Sequence, residues 1–220
     1  HFHPRTRLGY RSSELVLLNK HLDDAGLRLD RVLCCVDVDA PAWETILDFI
    51  DLLPLSRIGS IDLALPAAGV DEQVHAARAS EALLAVATKR GCRLFLDPLV
   101  DVDRSSDINH GLLDRLSNPR PAFHAVRCLN TILNGDGREY QVVDETSSIV
   151  GLKSSSRNIR LLAPDRTKPA DAGRLDKFGH GGQVTVYDLT TATSCRLAVD
   201  EDAAALDRLS TSGHLTLVVA

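Results

Sequence analysis

The feature that most narrows what this chain can fold into is a hydrophobic period that switches back and forth through residues 1–135. Residues 12–25 (SSELVLLNKHLDDA) place Leu15, Leu18 and Leu22 at helical spacing behind a serine start, and Gly26 follows as a stop. The period then changes. Residues 31–38 (RVLCCVDV) form a near-continuous apolar run, which predicts a strand buried on both faces. Pro41 opens a second helix through Trp43, Ile46, Leu47, Ile50 and Leu53, and Pro54 ends it. Residues 57–65 (RIGSIDLAL) predict a second strand with one internal carboxylate, Asp62, and a long helix spans about 71–90 before Gly91. A third strand starts near Arg93 and ends around Asp97 and Pro98. A last helix starts at Asn118 and Pro119 and runs through Phe123, Val126, Leu129 and Leu133 to Gly135.

Strands alternating with helices in this way predict right-handed crossovers and a parallel sheet covered by helices. A doubly wound sheet and a (β/α)8 barrel both fit that pattern. No GxGxxG and no phosphate loop follows any strand, so a nucleotide site on a doubly wound sheet lacks its glycines, which favours the barrel. Three βα units cannot close eight strands. The chain contains no methionine, even at position 1, and HFHPR at its start reads as the end of a strand that begins earlier. The expected fold is therefore α/β: residues 1–136 form the C-terminal portion of a TIM-type (β/α)8 barrel, completed by an upstream remainder of the same chain. Past Gly137 the runs REYQVV, RNIRLLAP, QVTVYDL, SCRLAV and HLTLVV predict a small antiparallel β-sandwich over residues 137–220. Within it, 164–182 is a long surface loop and TTAT at 190–193 a hairpin connection.

Composition excludes several functions. With 25 Lys and Arg against 30 Asp and Glu the net charge is −5, and no basic stripe exists to engage nucleic acid. No apolar run approaches the roughly 18 residues of a membrane span. The five cysteines are odd in number, and no CxxC pair is present to suggest zinc. Reduced, buried thiols in a cytoplasmic protein are the expectation. No GxSxG elbow appears, and no cofactor is expected.

In parallel α/β architectures chemistry sits at the carboxyl ends of strands. Those ends are acidic here. Asp37 and Asp39 follow the first strand, and Asp97, Asp101 and Asp103 follow the third, with Arg104 beside them. Paired carboxylates across a pocket supply a general acid and base, or a nucleophile and acid, when their environments separate their proton affinities. Asp37 and Asp97 are the expected catalytic pair. His1, His3, Arg5, Asp39, Asp101, Asp103 and Arg104 are the expected substrate contacts. A structural reading stands beside this one, in which Asp39 caps the helix at Pro41 and Asp101 and Asp103 pair with Arg104 on a solvated loop. His1 and His3 also have the His-x-His spacing of a divalent metal site in a metal-dependent hydrolase.

One segment carries a family likeness. FLDPLVDVDRSSDINHGLLDRLSNPRPAFHAVRCLN, with Gly111, Leu112, Leu113 and Asp114 followed by Asn118, Pro119, Arg120, Pro121, Ala122 and Phe123, resembles the last strand and last helix of retaining glycoside-hydrolase barrels. The resemblance implies barrel closure, an appended β-sandwich and action on a small-molecule or oligosaccharide substrate. It also implies a nucleophilic glutamate at the end of the seventh strand, where this chain has Ala64, Leu65 and Pro66, and an acid/base glutamate on a fourth strand upstream. The function expected is a carbohydrate-active hydrolase working through strand-end carboxylates. The alternatives are a non-catalytic sugar-binding barrel and a metal-dependent hydrolase using His1 and His3.

Overall fold

A computed structural model describes residues 9–37, 40–52, 55–66, 71–89, 91–101, 111–134, 140–146, 149–163, 182–198 and 214–220. Helix α1 (Ser12–Asp24) precedes strand β1 (Leu29–Cys35), α2 (Ala42–Asp51) precedes β2 (Ile58–Pro66), and α3 (Glu72–Val86) precedes β3 (Arg93–Asp97), after which comes α4 (Pro121–Asn134). Local chemistry sets the helix starts. Glu14 accepts the Arg11 backbone N–H at 2.8 Å, and Asp71 caps α3 by accepting from the Gln73 N–H at 2.8 Å. Gly26, directly after the Ala25 cap of α1, takes positive φ, the conformation that ends a helix without a side-chain clash, whereas α3 ends at Val86 and not at about residue 90 beside Gly91.

The three strands pair in parallel in the order β1-β2-β3. A single parallel bridge, Tyr10 beside Cys34, extends the β1 edge, and past β3 a second isolated bridge sets Val100 beside Leu113. Gly9 makes the first of these possible, because a Cβ there would sit 2.5 Å from the Leu33 carbonyl oxygen. One face of the sheet holds Val32, Cys34, Val36, Ile61, Leu63 and Leu65, all buried, and packs with Leu15, Ile46, Phe49, Leu84 and Leu129 from the helices. Each such aliphatic or aromatic side chain contributes about 1.5–3 kcal/mol of burial.

The remaining strands are β4 (Gln141–Thr146), β5 (Ile149–Lys153), β6 (Asn158–Leu162), β7 (Gln183–Asp188), β8 (Thr193–Ala198) and β9 (Thr216–Val219). They form one antiparallel sheet in the order β4-β5-β6-β9-β7-β8. Val150, Leu152, Ile159, Leu161 and Leu217 lie on the same face by register and join the helical core. Arg157, in the β5–β6 turn, donates to the Ile132 carbonyl at 2.6 Å and ties that turn to the end of α4.

Four expectations are corrected. The parallel sheet is open, with three strands and four helices among the described residues, so it is not a (β/α)8 barrel; alternation of period encodes parallel pairing but neither strand number nor closure. The second half is a single sheet and not a β-sandwich, because every strand, including the unforeseen β5, hydrogen-bonds into one continuous order. The likeness to glycoside-hydrolase barrels falls with them. Its Gly111–Phe123 element instead builds a local turn in which Asp114 accepts from the Leu116 and Asn118 N–H groups at 2.8 Å each and Ser117 takes φ 66°, so α4 starts at Pro121 rather than Asn118. Finally, β1 is buried on one face and open on the other.

Candidate functional site

That open face is where the described strands bring their polar side chains together. Alternation places Arg31, Leu33 and Cys35 of β1 opposite the helix-covered side. Register sets Leu33 level with Asp62 and Cys35 level with Ala64. Across the next pair, Asp62 is level with Arg93, Ala64 with Phe95 and Pro66 with Asp97. Leu33 is 39% exposed and Phe95 45% exposed, so no helix among the described residues covers them.

At the carboxyl end, the Val36 N–H donates to the Ala64 carbonyl at 2.8 Å, carrying the β1–β2 register one residue past the strand. Asp37 follows, two residues past the end of β1. Continued one residue pair further, that register would set Asp37 level with Pro66, whose partner on its other side is Asp97, two strand spacings or about 10 Å across. Both side chains are exposed. β3 stops at Asp97, where the bond to Pro98 is cis.

At the other end of the face Asp62 accepts from Arg31 Nη1 at 2.5 Å and from Arg93 Nε and Nη2 at 2.9 Å each. The Arg93 guanidinium beside it, with help from Arg31, holds the Asp62 carboxyl below the usual carboxylate range despite burial. The Arg93 guanidinium carbon also lies 5.5 Å from the Phe95 ring centre, a cation–π contact that fixes the ring over the sheet.

Asp101 does not join this face. Its carboxylate, 2% exposed, accepts from the Gly111 N–H at 2.5 Å and pairs with Arg120 Nη2 at 2.6 Å, while Arg120 Nη1 reaches Glu72 at the start of α3. This is a structural clamp joining the chain just past β3 to the starts of α3 and α4; the expected pairing with Arg104 involves a residue outside the described ones. His1, His3, Arg5, Asp39, Asp103 and Arg104 lie outside the described residues. Among the described residues no group of three or more His, Cys, Asp or Glu side chains is placed to hold a metal, and His75 and His124 sit on α3 and α4.

Three of the five thiols, Cys34, Cys92 and Cys128, are poor nucleophiles. Burial, and then the Asp62 charge, pushes Cys34 up to about 12, and burial also raises Cys92 and Cys128. Glu81, fully buried on α3, accepts from the Trp43 N–H at 3.3 Å and from Arg78 Nη1 at 3.4 Å, placing a negative charge at the start of α2. A cleft of about 440 Å³ opens between α3, β3 and α4, lined by Leu83, Val86, Leu94, Leu96, Val126 and Leu133. Arg93 borders it, but its guanidinium turns away to Asp62, so the cleft lacks an acid, a base or a nucleophile with a lowered proton affinity.

Sequence reasoning singled out Asp37 and Asp97, noted Asp62 only as an internal carboxylate, and did not single out Arg31, Arg93 and Phe95. The signal for these was the period-2 alternation inside RIGSIDLAL and RLFLD, which sets charged and aromatic side chains on one face.

The chain matches no protein-family model, no curated protein and no solved structure. No helix among the described residues is long and apolar enough to cross a membrane.

Proposed function

We propose that this chain is a carbohydrate-active hydrolase working on its open sheet face, with Asp37 and Asp97 as the carboxylate pair. The observation that supports this is their placement at the carboxyl ends of two strands of one parallel sheet, Asp97 closing β3 and Asp37 two residues past β1. The Cα separation of about 10 Å that the continued register would give suits carboxyl groups roughly 6.5–9.5 Å apart, the spacing that admits a water molecule beside the scissile bond. One carboxylic acid then gives its proton to the leaving glycosidic oxygen as the bond to the anomeric carbon breaks. The other carboxylate takes a proton from the water whose oxygen bonds to that carbon on the opposite side, so configuration inverts. Phe95, one step below Asp97 and 45% exposed, offers an apolar ring against the hydrocarbon face of a sugar.

The exposure of that ring and of the flat face around it favours a second reading, a sugar-binding protein without turnover. Release of reducing ends from a panel of oligosaccharides separates the two. Hydrolysis predicts turnover by the native chain and a loss of about 100-fold or more in both Asp37→Asn and Asp97→Asn. Saturable binding with no turnover selects the second reading. Undiminished activity in both variants refutes the carboxylate pair.

A further inference from the structure

The open face is polarised along its strands. Asp37 and Asp97 stand at the carboxyl end, while Arg31 and Arg93 stand toward the amino end, sharing the single carboxylate of Asp62. Two guanidinium charges against one carboxylate leave this three-residue cluster with a charge of +1. Among the described residues neither arginine pairs with a second carboxylate. The Arg31 and Arg93 side chains are 39% and 55% exposed, and Asp62 takes one nitrogen of Arg31 and two of Arg93. Each guanidinium carries five N–H donors, so Nε and Nη2 of Arg31 and Nη1 of Arg93 keep donors that Asp62 does not use.

We infer that the carbohydrate taken by this face is acidic, with its anionic group held between Arg31 and Arg93 and its neutral ring over Phe95. This rests on the proposed function above. The distances along β3 fit an extended ligand. Phe95 stands two residues above Arg93 and Asp97 four, about 7 and 13 Å at strand rise, so the anion-binding end and the carboxylate pair engage different sugar units. Asp62 has a double role. It fixes both guanidiniums in place before any ligand arrives, which lowers the ordering cost of binding, and it leaves them a net positive charge. Planar guanidinium forks match carboxylate and sulfate oxygens in paired hydrogen bonds, so uronate and sulfated sugars share the relevant chemistry.

Calorimetric titration of the full chain with three ligands of equal length tests this: a neutral galactan oligomer, an oligogalacturonate and a sulfated galactan oligomer. The expected result is that oligogalacturonate binds about tenfold more tightly than the neutral oligomer, the weight of one set of charge-assisted hydrogen bonds at a partly exposed site. Tight binding of the sulfated oligomer as well assigns a general anion site, and preference for the uronate alone assigns a carboxylate site; both support the inference. The ratio of anionic to neutral affinity is expected to fall toward one in Arg31→Gln and in Arg93→Gln, and in the unaltered chain as salt rises.

Equal affinity of the unaltered chain for neutral and acidic oligomers overturns the inference and leaves the proposed function standing. A preference that survives both substitutions, or that salt does not diminish, also overturns it. Failure of all three ligands to bind removes the carbohydrate function and this inference together. The salt series requires no variant, so the test remains decisive if either substitution impairs folding.

Discussion

Replacing Asp62 by asparagine probes the organisation of the open face through stability alone. The substitution keeps the shape and one acceptor oxygen but removes the charge that Arg31 and Arg93 share. Three charge-assisted hydrogen bonds, at 2.5, 2.9 and 2.9 Å, end on a side chain that is 11% exposed. Such bonds contribute about 1.5–3 kcal/mol each when buried, but both guanidiniums here lie partly in water, so the combined loss is about 2 kcal/mol. At a urea dependence of about 2 kcal/mol per molar, that moves the unfolding midpoint down by about 1 M without changing the slope. The effect also has a direction in pH. The folded Asp62 carboxyl lies below its ordinary value, so its contribution is complete above about pH 4 and is lost as pH falls through the folded value. The gap between the native chain and Asp62→Asn is therefore widest near pH 7 and narrows steadily below about pH 4. Urea unfolding followed by circular dichroism at pH 7 and in a series below pH 4 measures both. A gap that stays constant with pH, or no gap at pH 7, would show that the Arg31–Asp62–Arg93 bridge does not hold the face.

Other parts of the chain yield narrower tests. Gly111→Ala directs a Cβ to within 2.5 Å of the Leu113 carbonyl oxygen and 2.7 Å of the Asp101 nitrogen, all backbone, so thermal unfolding is expected to reveal a loss of about 2–3 kcal/mol; a neutral result contradicts the tight Asp101–Gly111 closure. Asp71→Ala removes the cap on α3 and costs about 1 kcal/mol in the same assay. Among the thiols, exposed Cys195 reacts first with a disulfide reagent, whereas Cys34, buried and raised to about 12, reacts only on unfolding; fast labelling of Cys34 in the folded chain would contradict its place in the core.

Much of the local structure was legible in the sequence because it rests on short-range chemistry. Leu15 and Leu22 mark the buried stripe of α1, Gly26 marks its end, and the adjacent Cys34 and Cys35 point to opposite faces as a strand requires. What the sequence did not reveal depends on partners distant in the chain. RVLCCVDV reads as apolar throughout, yet whether Leu33 is covered depends on what packs over β1, and nothing in that octapeptide specifies it. Asp101 looks like a loop carboxylate until Arg120 and Gly111 close on it from 19 and 10 residues away. The Arg31–Asp62–Arg93 bridge joins three strands, each partner 31 residues from the next, and sequence alternation shows their shared face but not the pairing. Closure into a barrel or a second layer is the same kind of non-local property, so short strand-like runs supported both readings until the strand order was known.

The most direct test of the central claim, that the open face of the parallel sheet is the functional surface, is a map of backbone amide shifts as an oligosaccharide is titrated into the isotopically labelled chain. The account predicts saturable changes confined to Arg31, Leu33, Asp37, Asp62, Ala64, Phe95, Asp97 and their immediate neighbours, with the α3–α4 cleft residues Leu83, Val126 and Leu133 unmoved. Changes centred on that cleft, or a face that stays silent while the ligand binds, would contradict it.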